Sequence, residues 1–205
     1  MFVLGLTGKT GAGKSTVATI LKENGFYIID GDKVARQVTE KGSPVLVSLA
    51  HQFGDDIINS DGSLNRALCG ARAFSSKENT KKLNEITHGA IDALFRKEIE
   101  TAEEKGFSHC VIDAAALLES PSRTLCDKIA VVHAPEEIRL QRILSRDNIE
   151  KDRAAERIKA QKSDNYYFGF ADFILNNYSP YSIEDETERL IRWLKNNERQ
   201  SEQLN

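Results

Sequence analysis

The chain opens on a short apolar run, Phe2 to Leu6, that stops at a glycine-rich turn. An unbroken apolar run of this length predicts a strand buried on both faces, as in a parallel sheet. Helical periodicity follows from Ser15 to Asn24, and Gly25 marks its C-cap. Phe26-Tyr27-Ile28-Ile29-Asp30 predicts a second strand. The opening therefore reads as a strand, loop, helix, strand unit.

From about residue 32 to 105 the pattern changes to helices, broken at Gly42-Ser43-Pro44 and at Asp61-Gly62-Ser63. Leu83, Ile86, Ala90, Leu94 and Ile99 make an apolar stripe on one long helix. Strand patterns return at Ser108 to Asp113 and at Lys128 to His133. Pro135 opens a helix, since proline is tolerated in the first turn. The segment from Glu136 to Lys162 is highly charged, and Phe173-Ile174-Leu175 predicts a last short strand. Ser182 to Asn197 reads as an amphipathic helix with Ile183, Leu190, Ile191 and Leu194 inward, and the polar tail beyond it is expected to fray.

Strands alternating with helices imply an α/β fold, a parallel sheet with helices on both faces and a helical insertion between core strands. Ligands of such sheets bind beyond the carboxyl ends of the strands. Four places qualify: the loop after the first strand, Asp30-Gly31-Asp32, Asp113, and His133-Ala134. Composition narrows the function. Of the 205 residues 40% are hydrophobic and 29% charged, the profile of a globular domain. The net charge of −3 provides no global basic field for nucleic acid or an anionic membrane. No apolar run approaches the ~20 residues that span a bilayer. The start lacks a basic n-region, so a cytoplasmic protein without a signal peptide is expected. Cys69, Cys110 and Cys126 form no C-x-x-C pair, which leaves a zinc or redox site without support; they read as small buried thiols.

Gly8 to Ser15 fits the pattern G-x-x-x-x-G-K-S/T at every position. Glycines let backbone N–H groups converge on phosphate oxygens, and the helix that follows points its positive end at the same anion. The binding segment is Gly11, Ala12, Gly13, Lys14, Ser15 and Thr16. Lys14 reaches the β and γ phosphates, and the Ser15 hydroxyl ligates Mg²⁺. The loop makes the chain a nucleoside-triphosphate binder. A GTP switch would need an N-K-x-D segment, and none is present. A small-molecule kinase needs a carboxylate to take the acceptor's proton. Asp32, just past the second strand, suits that role; its alternative is the N-cap of a helix from Lys33 to Glu40. Arg36, one turn on, shares its face and suits a negative group on the acceptor. Arg139, Arg142 and Arg146 share one helix face, and Arg153 and Arg157 repeat the spacing. That pattern reads either as a solvated face or, beside a phosphate loop, as a lid that closes arginines over the phosphates.

The residues resemble the dephospho-CoA kinase family from about Val3 to Asn176. The resemblance rests on the phosphate loop, Asp30-Gly31-Asp32 with Arg36, and Asp61-Gly62-Ser63-Leu64-Asn65-Arg66. It continues through Leu83 to His88, Asp113 to Leu117-Leu118-Glu119, Arg142 and Arg146, Arg157-Ile158 with Gln161, and Ala171 to Asn176. It implies phosphorylation of the ribose 3′-hydroxyl of dephospho-CoA by ATP with Mg²⁺, and no obligate protein partner. A kinase for another small hydroxyl compound, such as a nucleoside or nucleotide, is the alternative enzyme; a nucleotide-binding regulatory protein is the alternative outside catalysis. The implied fold is one P-loop kinase domain: a core of about residues 1–31, 106–138 and 165–200, a helical CoA-binding region over 32–105 and a lid over 139–164. Asp32 would be the base, Lys14 would hold phosphate, and Arg142 and Arg146 would close on it. Arg36, Arg66, His88 and Leu117 would line the acceptor side, with a packed structural histidine as the other reading of His88. Asp113 would support Mg²⁺; its alternative is a helix cap for Ala114 to Leu118. The sequence departs from the family at Ala115 and Ala116, where proline and leucine are expected, at Gly89, where proline is expected, and at Lys9-Thr10. The first two remove side-chain volume from the expected acceptor wall.

Overall fold

The computed structural model describes residues 1–202, with side chains described up to residue 196. Five strands form one parallel sheet: β1 (Phe2–Gly8), β2 (Tyr27–Asp30), β3 (His109–Asp113), β4 (Lys128–His133) and β5 (Phe173–Asn176). Their order is β2-β3-β1-β4-β5, with β1 in the middle. The chain leaves β1 toward one edge, and the β3 to β4 connection crosses to the other side. The crevice at that reversal lies at the carboxyl end of β1, where the glycine-rich loop starts.

The first helix, α1 (Lys14–Glu23), ends at Asn24, and Gly25 follows with φ 87°. It packs with the last helix, α9 (Ile183–Glu202), on one face of the sheet. Leu4 and Leu6 of β1 point to that face, into Val17, Leu21, Leu190 and Leu194. Val3 points to the other face, where Phe95, Ala102, Ile112 and Leu117 close the core. The two-residue alternation of a strand thus serves both layers. The inward residues expected of α9 are found there, Ile183 at the margin. The helix runs on to Glu202 rather than fraying after Asn197, and residues 203–205 of the expected tail lie outside the described residues.

The helical insertion comprises α2 (Gly31–Val38), α3 (Pro44–Phe53), α4 (Arg66–Ala73) and α5 (Lys77–Glu104). The apolar stripe of α5 serves two cores. Leu94 and Ile99 face the sheet, while Leu83 and Ile86 pack on Leu49, Phe53, Ile57 and Cys69. Asp61 turns the chain by accepting from the Ser63 N–H at 2.9 Å, and Asn65 caps α4 through Leu68 N–H at 3.1 Å.

Two capping alternatives are not realised. Helix α2 starts at Gly31 and is capped by Asp30, whose carboxylate accepts from Lys33 N–H at 3.0 Å; Asp32 sits inside the first turn with its carboxylate free of that duty. After β3 there is no helix for Asp113 to cap, only a short 3₁₀ turn at Leu117–Glu119 that begins from Ala116. The charged segment folds as α6 (Glu136–Asp147) and α7 (Lys151–Lys159), and a short unexpected helix, α8 (Asp164–Phe168), leads into β5. Cys69 and Cys110 are buried and Cys126 half-buried. Among the described residues no helix is long and apolar enough to cross a membrane.

Candidate active site

The loop between β1 and α1 forms the floor of a cleft of about 720 Å³. Two of its glycines have no substitute. Gly11 has φ 79°, and a side chain there would meet the Arg139 carbonyl oxygen at 2.7 Å. Gly13 has φ 100°, and a Cβ there would collide with Asn177 Nδ2. Positive φ bends the loop in a way glycine tolerates, and the missing side chains let α6 and the residue after β5 approach from behind.

Lys14 and Ser15 begin α1. Ser15 is exposed at the cleft floor, and the Lys14 ammonium bonds the Asp113 carboxylate at the end of the neighbouring strand β3. Burial pushes the Asp113 carboxyl above its ordinary range; Lys14 pulls it down, while Asp30 and Asp32 push it up. Ala12, read as part of the binding segment, is fully buried, and its carbonyl accepts from Asn177 Nδ2 at 2.7 Å and from Arg142 at 3.3 Å. Its N–H donates to the Lys9 carbonyl at 3.0 Å, and the residue does not line the cleft. Thr16 lines the cleft from the same first turn of α1.

The three arginines of α6 divide their work, against the expectation of one common face over the phosphates. Arg139 is 1% exposed and donates to the Ala134 carbonyl at 3.1 Å and the Thr10 carbonyl at 3.4 Å. It is a buried brace beneath the loop. Arg142 lines the cleft and donates to the carbonyls of Gly11, Ala12 and Asn177 at 3.3, 3.3 and 2.9 Å. Arg146 also lines the cleft and pairs with Asp147 at 2.6 Å. Arg157 reaches the same carboxylate at 2.8 Å rather than the cleft. These two guanidiniums, Arg146 first, hold the Asp147 carboxyl below its ordinary range.

A second pocket, of about 200 Å³, opens on the far side of Asp32. His88 and Phe95 of α5, Leu117, Ala116 and Glu119 line it. His88 is half-buried in this wall rather than packed in a core, and Leu117 is 1% exposed. Asp32 lines both spaces and is their shared wall. Arg36 and Arg66, expected at the acceptor side, are exposed and adjacent, with Arg66 donating to the Arg36 carbonyl at 3.4 Å. Neither lines the pocket.

The departures from the family pattern fall apart in space. Ala116 lines the small pocket. Ala115 lines the phosphate cleft instead, and its carbonyl accepts from the Thr7 hydroxyl at 3.3 Å. Gly89 faces open space on α5, with nothing within 4 Å of where a Cβ would sit. It is no part of the acceptor wall. Two further residues belong to the site and carry no sequence signal of their own, Asn177 just past β5 and Gln141 on α6.

A cleft floored by the glycine-rich loop and a small separate pocket thus share the Asp32 carboxylate as a wall. The family model for dephospho-CoA kinase matches residues 2–182. The chain belongs to the dephospho-CoA kinase family. A dephospho-CoA kinase of Corynebacterium diphtheriae is 40% identical over 194 residues, 95% of this chain and 96% of the relative. Two solved structures are similar throughout. A Thermus thermophilus protein, TT1252, superposes with a TM-score of 0.80 at 25% identity, covering 96% of this chain and 97% of its own. Dephospho-CoA kinase from Campylobacter jejuni gives 0.68 at 25% identity, covering 95% and 98%. Members of this family are phosphotransferases with an alcohol acceptor, so the alternative of a non-catalytic nucleotide sensor falls away.

Proposed function

We propose that this protein transfers the γ-phosphoryl group of ATP to the ribose 3′-hydroxyl of dephospho-CoA, giving CoA and ADP. The observation that carries this reading is Asp32, which lines the phosphate cleft and the small pocket at once. The triphosphate lies on the amides of Gly11 to Thr16, at the positive end of α1. Lys14 follows the β and γ phosphates with a mobile charge. The acceptor ribose enters from the pocket of His88 and Leu117, which puts its hydroxyl next to Asp32. Asp32 takes the hydroxyl proton as the oxygen bonds to the γ phosphorus. The bond from that phosphorus to the β,γ-bridging oxygen breaks, and its electron pair leaves with ADP.

The donors suit Mg²⁺. Ser15 offers a hydroxyl at the cleft floor, and Asp113, once Lys14 turns from it to the phosphates, a carboxylate at the end of β3; both are the hard oxygen ligands that ion takes together with phosphate and water. When bound, it would neutralise charge on the β and γ phosphates. In this reading, residues 32–105 supply the acceptor side, with Arg36 and Arg66 meeting the negative groups of dephospho-CoA outside the pocket. Residues 139–164 are the lid, in which Arg146 turns from Asp147 to the phosphates on closure. The reaction takes place in the cytoplasm. A coupled ADP-release assay with dephospho-CoA, set against a panel of nucleosides and nucleotides, tests the assignment. Turnover of a panel compound without turnover of dephospho-CoA would reject it.

A further inference from the structure

Lys9 and Thr10, where the sequence departs from the family, touch the chain on both sides of the α6–α7 unit. The Lys9 side chain is only 13% exposed, and its ammonium lies 2.7 Å from the carboxylate of Asp164, the first residue of α8. Asp164 also comes within 4.0 Å of His133 Nδ1 at the end of β4. The peptide groups of Thr10 are held from two directions. Its N–H donates to Gln161 Oε1 at 3.1 Å, just after α7. Its carbonyl accepts from Arg139 at 3.4 Å, near the start of α6.

The other limb of the phosphate loop continues directly into α1 and is fixed by that helix; Thr16 and Val17 N–H both donate to Gly13 O. The Lys9-Thr10 limb has no helix of its own. The Lys9 side chain is mostly covered, and its ion pair with the half-exposed Asp164 carboxylate holds it in one direction. That direction runs along the loop's outer side, toward α8 and β4.

We propose that Lys9 and Asp164 are positioning residues for ATP. Their ion pair straps the Lys9-Thr10 limb to the base of the α6–α7 unit, so the triphosphate meets a loop already in its binding shape. Lys9 acts through the loop backbone and not by touching phosphate. A loop whose amides are set in advance loses less freedom on binding, and binds more tightly for that reason. The inference rests on the ATP half of the proposed function and is independent of the acceptor's identity.

The test is a double-mutant cycle on the full chain. Lys9→Met, Asp164→Asn and the double variant are measured for equilibrium binding of a fluorescent ATP analogue, and for KM and kcat. Each single variant is expected to weaken nucleotide binding by about 5- to 20-fold, with the double variant no worse than either single one. The loss falls on KM for ATP rather than on kcat. Lys9→Arg, or the exchanged pair Lys9→Asp with Asp164→Lys, restores binding, which a merely destabilised fold would not do. Additive losses overturn the proposal. So does weak binding by Lys9→Met beside unchanged or tighter binding by Asp164→Asn, the signature of a lysine that holds phosphate directly. If Lys9→Met does not fold, Asp164→Asn and Lys9→Arg carry the test, and unchanged affinity in the former overturns it. A wild-type chain that binds no ATP analogue would overturn the reading of the loop itself, and the strap with it.

Discussion

The donor and acceptor halves of the site are built on different physical plans. In the donor half as proposed, the loop turns on positive-φ glycines and is braced from behind. Arg139, Arg142, Asn177 and Gln161 all bond loop backbone. On the acceptor side the lining is side chains from α2, α5 and the turn after β3, around a pocket of about 200 Å³ beside a cleft of about 720 Å³. Its basic residues, Arg36 and Arg66, stay in solvent. A triphosphate is the same in every substrate, so a rigid backbone cradle suits it. An acceptor is recognised by shape, and shape is the work of side chains.

Four substitutions sharpen or break this division. Asp32→Asn carries the largest effect: kcat is expected to fall about 10²- to 10⁴-fold, with binding of an ATP analogue nearly unchanged in titration. Surviving turnover would remove Asp32 as the base. Lys14→Ala comes next, lowering kcat about 10²- to 10³-fold and weakening ATP binding in the same titration, since it also leaves the Asp113 carboxylate without its partner. Arg142→Ala is expected to raise KM for ATP about tenfold and leave KM for dephospho-CoA alone, because its bonds go to loop carbonyls. A rise in the acceptor's KM instead would erase the boundary between the halves. Gly89→Ala is the smallest. It is expected to stabilise thermal unfolding by about 0.5–1 kcal/mol, as a helix-interior glycine with open space around it, and to leave acceptor KM unchanged.

The glycine-rich loop, the strands and the long helix are legible because each is set by residues near one another in the chain. Lys128 to His133 needs no correction between pattern and strand. Asp32 is legible as a candidate only, since its two readings differ by whether Asp30 or Asp32 caps α2. A two-residue difference in where a helix starts lies beyond what periodicity resolves. Arg139 departs from its expected place for another reason. Spacing places Arg139, Arg142 and Arg146 on one face correctly, but spacing carries no information about what that face meets. Arg139 is buried under the loop because α6 approaches Gly11 closely enough to forbid a side chain. The family departures behave alike: Ala115, Ala116 and Gly89 sit near motif residues in sequence, and only Ala116 reaches the acceptor pocket.

By itself, then, the sequence determined the family, the phosphate-binding chemistry of Gly8 to Ser15 and the alternation of strand and helix. These depend on residue type and on spacing within a few turns of chain. The tertiary structure alone decided which carboxylate stands between two pockets, which arginine braces the loop, and how Asn177 and Gln161 come to touch it. Those outcomes depend on the strand order β2-β3-β1-β4-β5, which places the ends of β1, β3, β4 and β5 around one crevice. Residues more than a hundred positions apart meet there, as Lys9 meets Asp164, and no local pattern encodes a contact that the packing of distant elements creates.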